Sequence, residues 1–378
     1  MRKRFVGLVA VSAAGLLGLS ACGGSGGSTS STSAAAGGGG SSSSAAGGGG
    51  KVGVILPDSA SSARWETADR PLLKQAFDAA GIQSDIQNAG GDVNKFQSIA
   101  DGMISSGVKA LLIVDLDPDS GTAVIKKANA AGIPVVDYDR LTTGGGASYY
   151  VSFDNVKVGT AIGEGLVKGL KAEGKTSGPV VLLNGSPTDN NATLFKQGYE
   201  KVIKDAGFTV AADQAVKDWD NQQALTDFEQ IFTKTKGDFV GVAAANDGLA
   251  GSVVAVLQKN GRAGKVPVSG QDATDEGLQR ILLGTQYVTV YKAIKKEAAA
   301  AAQLAIKIVQ GDKAGADALA TGKVTDTKLN KDVPSVLLEP QPIYKDNVKD
   351  VIADGFTTKE KVCAGAALQK ACTAAGIS

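Results

Sequence analysis

Two tryptophans, three basic residues and several Asp, Asn and Gln residues fall at or just beyond the ends of short apolar runs in this chain. Arg64-Trp65 follows the run at 52–56, and Asp139-Arg140 closes the run at 134–138. Asn184 ends the run at 179–184 and is followed by Asp189-Asn190-Asn191. Trp219 lies on a later loop. Asn246-Asp247 follows 239–245, Gln271-Asp272 follows 266–269, and Lys292 follows 287–291. These are forked donors and acceptors beside flat apolar faces. Carboxylates, amides and guanidinium groups hold neighbouring hydroxyls in pairs, and an indole covers the C–H face of a pyranose. The chemistry they suit is therefore sugar recognition. Each has a plainer use when taken singly. Asp139, Asp189 and Asp247 suit helix caps or turns, Arg64, Arg140 and Lys292 suit the surface, and either Trp suits a core. Their common place at carboxyl ends of apolar runs favours a binding site.

The elements that position them follow from periodicity. Runs at 52–56, 110–115, 134–138, 179–184, 239–244, 266–269 and 287–291 read as strands. Amphipathic patterns predict helices over 71–80, 94–105, 119–131, 156–170, 191–206, 221–235 and 248–260. Several stop at a glycine, as at Gly81 and Gly132, the usual left-handed helix end. Continuous apolar strands alternating with amphipathic helices indicate an α/β fold with parallel sheets covered on both faces. The rhythm pauses near 148–155 and restarts at Gly178, so two doubly wound sheets fit better than one very wide one. Open sheets of this kind bind ligands beyond the carboxyl ends of their strands, where the polar set lies.

Composition removes several alternatives. The chain has no histidine, which excludes Ser-His-Asp and Cys-His catalysis and imidazole metal sites. With 39 basic and 38 acidic residues the formal net charge is +1, unlike the basic face of a nucleic-acid binder. No GxGxxG follows the first strand and no P-loop occurs, so no nucleotide chemistry is expected. Asp115-Leu116-Asp117-Pro118-Asp119 opens like a calcium loop. Its sixth and twelfth positions, however, hold Ser120 and Lys126 rather than Gly and Glu. A helix cap at Asp119 or Ser120 is expected there, with no metal and no cofactor. Carboxylates exist for glycoside hydrolysis, but most sit at capping and turn positions, so an exported enzyme is the weaker reading.

The N-terminus describes export. Arg2, Lys3 and Arg4 precede an apolar run from Phe5 to Leu19, too short for a spanning helix. Leu19-Ser20-Ala21-Cys22 resembles a bacterial lipobox, which implies a signal peptide over 1–21 and lipidation of Cys22; an ordinary signal with an incidental Cys is the alternative. Removing the signal leaves 36 basic against 38 acidic side chains. Residues 23–50 are only Gly, Ser, Thr and Ala. They have little to bury and are expected to form a flexible tether with an r.m.s. reach of about 30 Å. Cys363 and Cys372 remain. An oxidising compartment favours a local disulfide over two free thiols.

Several segments also resemble a known family. Ala63-Arg64-Trp65, Tyr138-Asp139-Arg140, the run 152–159, Asn184-Gly185-Ser186-Pro187, Asp189-Asn190-Asn191, Ala245-Asn246-Asp247, Ser269-Gly270-Gln271-Asp272 and Val290-Tyr291-Lys292 are similar to the periplasmic D-xylose-binding proteins of ABC transporters. The likeness runs in order over about 51–360. It implies a periplasmic binding protein of type I, with two lobes joined by three crossovers: 51–153 plus 293–333, and 154–292 plus 334–378. It implies sugar contacts at Arg64, Trp65, Arg140, Asp189, Asn191, Trp219, Asn246, Asp272 and Lys292, with the indoles covering the sugar from opposite lobes. It further implies a monomer outside the cytoplasmic membrane or in the periplasm. Such a protein captures a monosaccharide, D-xylose first, for an ABC permease. Sensing through a chemoreceptor or kinase, or a preference for glucose, galactose or ribose, are the alternatives. The loop 58–63 departs from the family in carrying few charges, which bears on the choice of sugar.

Overall fold

A computed structural model describes residues 50–377. The signal peptide, Cys22 and all but the last residue of the tether lie outside the described residues. Among the described residues no helix is long and apolar enough to cross a membrane.

The first apolar run forms β1 (Lys51–Leu56), buried from Val52 onward. It is flanked by β2 (Gln83–Asn88) and β3 (Ala110–Ile113), and the sheet continues through β4 (Val135–Tyr138) and β5 (Tyr149–Phe153). All these neighbours are parallel. The second sheet is built from β6 (Gly178–Asn184), β7 (Phe208–Ala215) and β8 (Gly241–Ala244), again parallel, in the order β7-β6-β8. A short strand, β9 (Thr289–Tyr291), ends at Lys292. The chain then returns to the first sheet for β10 (Gly322–Asp326) and β11 (Lys331–Leu338), and β12 (Gln341–Ile343) pairs antiparallel with β9. The first sheet has the order β10-β11-β5-β4-β3-β1-β2, antiparallel only between β10 and β11.

Helices cover both faces of the first sheet. On one face lie α1 (Arg70–Ala79) and, later in the chain, α9 (Ile294–Val309). On the other lie α2 (Val93–Ser105) and α3 (Pro118–Ala130). The second sheet is enclosed by α4 (Asn155–Ala172), α5 (Asn190–Asp205), α6 (Asn221–Thr235) and α7 (Asp247–Lys259) around one apolar core. Helix α8 (Asp275–Leu283) packs with the C-terminal segment, where Cys363 and Cys372 are joined in a disulfide. Glycines let α4 approach α5 closely. A Cβ on Gly159 would lie 2.1 Å from the Phe195 carbonyl oxygen, so that crossing requires glycine. The chain passes between the sheets after Phe153, after Lys292 and after Leu338. Two parallel-sheet lobes joined by three passages are the architecture of the type I periplasmic binding proteins.

Three expectations need correction. The run at 266–269 makes a single parallel bridge, Val242 to Val268, rather than a strand. Pro267 lacks the N–H that a ladder needs. The segment still links β8 to β9: Ser269 N–H donates to Val242, Tyr287 N–H to Val268 and Asp272 N–H to Val290. Second, β11 runs past the expected boundary at 333. Pro334 pairs with Lys323 of β10, and pairing with β5 begins at Ser335 and continues to Leu338. Third, helix α3 is capped by Asp117, whose carboxylate accepts from Asp119 and Ser120 N–H, with Pro118 in the first turn. The cap is therefore neither Asp119 nor Ser120.

Candidate functional site

Arg64 precedes a π-helical turn, Trp65–Asp69, in which Arg70 N–H reaches back five residues to the Trp65 carbonyl. The same five-residue spacing brings Arg64 and Asp69 together. Arg64 Nε donates to Asp69 Oδ2 at 2.9 Å and Nη2 to Oδ1 at 2.7 Å. Nη2 also donates to Glu297 Oε2 at 2.6 Å, and Nη1 to Asp139 Oδ2 at 2.9 Å. Four of the five guanidinium N–H groups are thus used inside the protein. The Tyr138 hydroxyl adds a bond to Asp69 at 2.5 Å. Arg64 lines the cavity as expected, but most of its hydrogen bonding serves to organise neighbouring carboxylates. Its guanidinium carbon also lies 4.4 Å from the Trp65 ring centroid and covers one face of the indole.

Beyond β4 the backbone turns left-handed at Asp139, with φ 64°. The carbonyl of Asp139 accepts from the Tyr150 and Ser152 hydroxyls and from Asn191 Nδ2. Burial opposes ionisation of its carboxyl, but Lys292, Arg64 and Arg140 outweigh burial and hold it below the usual carboxylate range. Arg140 projects from the same turn. Its Nη1 donates to the Asp115 carbonyl at 3.0 Å, and its Nε lies 3.1 Å from Asp189 Oδ2. Burial pushes the Asp115 carboxyl up to about 7 despite nearby Arg140.

The opposite lobe contributes through helix starts. Asp189 caps α5 by accepting from Asn191 N–H at 2.8 Å, and its other oxygen accepts from Trp219 Nε1 at 3.1 Å. It is a cap and a cavity wall at once. Asn246 caps α7 through Leu249 N–H. Asp247 lies behind the wall, bonded to Thr274 and Gln286, and burial raises its carboxyl to about 6 against Arg280. Trp219 follows Asp218, and both have positive φ, 56° and 54°. Its indole meets Phe195 edge-on with centroids 6.5 Å apart and closes over Gly185, where a Cβ would fall 2.0 Å from the ring. Asp272 also has positive φ, at 95°. Left-handed backbone at non-glycine residues costs on the order of 1–3 kcal/mol each and gathers at functional sites.

Lys292 sits where β9 passes into α9. Its Nζ lies 3.4 Å from Asp272 and 3.6 Å from Asp139, and it is 4% exposed. Burial works against its charge, but Asp139 and Asp272 raise its pKa overall. Among the described residues its ammonium makes no internal hydrogen bond. Arg140 Nε, Gln271 Oε1 and Asp272 Oδ1 are likewise buried without a hydrogen-bond partner. Buried polar atoms are seldom left so, and several at one cavity point to a polar guest with many hydroxyls.

The cavity is small, about 30 Å³. All nine expected residues line it: Arg64, Trp65, Arg140, Asp189, Asn191, Trp219, Asn246, Asp272 and Lys292. It also takes in Ser61, Ser62, Asp139, Phe195 and Gln271. Asp139 and Gln271 carried the strand-end signal without being put among the nine. Phe195 reads as helix core, and the serines as loop. Asp69 and Glu297, which hold Arg64, had no signal beyond being acids in helical stretches.

A two-lobed α/β protein with a polar cavity between lobes, at the carboxyl ends of both sheets, is a binding-protein design. The family profile described as periplasmic binding protein domain matches residues 52–313, and the chain belongs to that family. It is 37% identical over 314 residues to the D-xylose-binding periplasmic protein of Escherichia coli (strain K12), covering 81% of this chain and 90% of that protein. It is 32% identical to the multiple sugar-binding periplasmic receptor ChvE of Rhizobium radiobacter, covering 80% and 89%. Among solved structures it is similar to a carbohydrate transporter solute binding protein from Chloroflexus aurantiacus in complex with D-glucose. That match has a TM-score of 0.74 and 27% identity, covering 82% of this chain and 97% of the other.

Proposed function

We propose that this chain captures one monosaccharide, D-xylose, between its lobes and delivers it to an ABC permease, without turning it over. The observation that carries the reading is the lining of the cavity. Two indoles from opposite lobes line it with Lys292, Arg140, Gln271 and Asp272, and Arg140 Nε, Gln271 Oε1 and Asp272 Oδ1 have no internal hydrogen-bond partner. Aromatic faces beside charged donors and acceptors with hydrogen-bonding capacity to spare suit a pyranose, whose C–H faces are apolar and whose rim is hydroxyl. The likeness to a D-xylose-binding protein supports the pentose, and the likeness to proteins named for several sugars and for glucose makes specificity the point to test.

In this reading the lobes are 51–153 plus 293–338, and 154–292 plus 339–378, and the protein works as a monomer. A signal over 1–21 is removed, a lipid on Cys22 holds the protein at the outer face of the membrane, and the Gly/Ser tether gives the lobes reach. Binding shifts an open–closed equilibrium, because the sugar touches both lobes only when they are together.

The experiment is tryptophan fluorescence of residues 51–378 titrated with D-xylose, D-glucose, D-galactose, D-ribose and L-arabinose. Both tryptophans line the cavity, so a saturable change with D-xylose alone is expected. Saturation with another sugar moves the specificity. Silence with all five, repeated by calorimetry, removes the monosaccharide reading.

A further inference from the structure

Glu297 lies in the first turn of α9, just past Lys292, and is fully buried. Its Oε2 accepts from Arg64, while its Oε1 has no hydrogen-bond partner. The groups facing it come from several elements. Arg64 and Asp69 come from the start and end of the π-helical turn, Tyr138 and Asp139 from β4 and its end, Tyr150 from β5, and Lys292 from the passage between lobes. The elements packed on α9, among them α1, β1 and β3, bring apolar residues such as Leu73, Val54 and Leu112 to the core that α9 covers. Lys295 and Lys296 point to solvent.

Two cations, Arg64 and Lys292, therefore meet three buried carboxylates, Asp69, Asp139 and Glu297. Both oxygens of Asp69 accept hydrogen bonds, from Arg64 and Tyr138. Both oxygens of Asp139 accept as well, from Arg64 and Asn191. Of these three only Glu297 has an oxygen to spare, and leaving it unpartnered costs far more when the group is ionised than when it is a neutral acid.

We propose that Glu297 is a positioning residue, protonated on Oε1, that holds Arg64 in place while leaving the Lys292 ammonium to the cavity, so that sugar binding is linked to one proton. The inference rests on the sugar-binding reading above. Burial is the largest influence on Glu297. Arg64 and Lys292 oppose it, Asp139 and Asp69 reinforce it, and the carboxyl is raised to about 8. Below that pH the acid is neutral and Lys292 faces Asp139, Asp272 and the guest. Above it, an ionised Glu297 competes for Lys292 and Arg64 and adds negative charge beside Asp139. Affinity then falls with rising pH, and binding near the titration takes up a proton.

The test is calorimetry with D-xylose and D-glucose from about pH 6.5 to about pH 9.5, on the wild-type protein and Glu297→Gln. Glutamine keeps an oxygen for Arg64 and stays neutral. Wild-type affinity is expected to weaken about tenfold across the range, and that of Glu297→Gln to stay level. The wild-type protein also reports alone. At about pH 8, heats measured in two buffers of different ionisation enthalpy should show net proton uptake on binding. Wild-type binding that is level in pH, zero proton uptake, or the same slope in Glu297→Gln overturns the inference and leaves the sugar reading standing. No binding of either sugar by the wild-type protein at any pH overturns both.

Discussion

Asn191 Nδ2, at the start of α5, donates to the main-chain carbonyl of Asp139 at 2.9 Å and so ties the second lobe to the first across the cavity. The Asn191 side-chain oxygen accepts in turn from Asn155 Nδ2 at 2.8 Å, at the first passage between lobes. Together with Arg140 and Asp189, this bond holds the lobes together on the cavity side. The described arrangement is therefore a closed one, and the residues that close it are also residues that line the site.

Asn191→Ala should consequently favour opening as well as weaken binding. A buried neutral hydrogen bond contributes about 0.5–1.5 kcal/mol net, so a population shift of roughly 2- to 13-fold is expected. Small-angle scattering with and without sugar would detect it as a larger radius for the unliganded variant. An unchanged radius together with unchanged affinity would remove the inter-lobe role.

Trp65→Ala and Asp272→Ala remove an aromatic face and a charged acceptor from the cavity. Each is expected to cost about 2–3 kcal/mol of binding, a Kd rise of roughly 30- to 150-fold, with circular dichroism unchanged. Calorimetry decides it, and unaltered affinity in both variants would sink the site assignment.

Gly185→Ala tests how Trp219 is seated. The added methyl group would occupy the space of the indole ring, so the ring must leave its place over β6. A stability loss of about 1–3 kcal/mol and a muted fluorescence response to sugar are expected. Denaturant unfolding reads the first and titration the second. A variant as stable and responsive as the parent would show that the indole sits elsewhere.

Asp115 should make stability depend on pH. Its carboxyl is raised from the ordinary range to about 7 by burial, so the folded state binds its proton over a window in which the unfolded chain has released it. The unfolded state then binds fewer protons, and stability falls as pH rises from about 4 to about 7. Asp115→Asn should flatten that part of the curve by on the order of 1–3 kcal/mol. Urea midpoints across the window, compared between the two proteins, check it. Parallel curves would refute it.

The Cys363–Cys372 bond closes a short loop beside α8, and neither cysteine lines the cavity. Replacing both by Ser should lower stability by about 2–3 kcal/mol on loop-closure entropy and leave sugar affinity within about twofold. A large loss of affinity would instead connect the C-terminal segment to the hinge.

Strand ends were legible in the sequence because a parallel sheet needs continuous apolar runs, and each run makes the polar residue after it conspicuous. That logic reached Asp189, Asn246 and Lys292 directly. It failed where the physics is not periodic. β2 is an edge strand in which Ile86 is the one apolar residue among Gln, Ser, Asp and Asn, half-exposed and without an apolar pattern. β7 is also an edge, and only Phe208 in it is buried. Phe195 reads as core because a helix face turned to a cavity and one turned to a sheet have the same period. Glu297 reads as an exposed acid in an alanine-rich helix, since only the tertiary arrangement brings Arg64 to it.

The left-handed backbone at Asp139, Trp219 and Asp272 sets limits for anyone refitting this cavity to another analyte. Asp and Asn tolerate such φ values, whereas Val, Ile or Thr there would strain the main chain before touching any guest. A saturation library at those three positions would spend most of its members on strained main chain. Ser61, Ser62, Phe195 and Gln271 line the same cavity on ordinary backbone, and they are where a reagentless sugar biosensor should be diversified first.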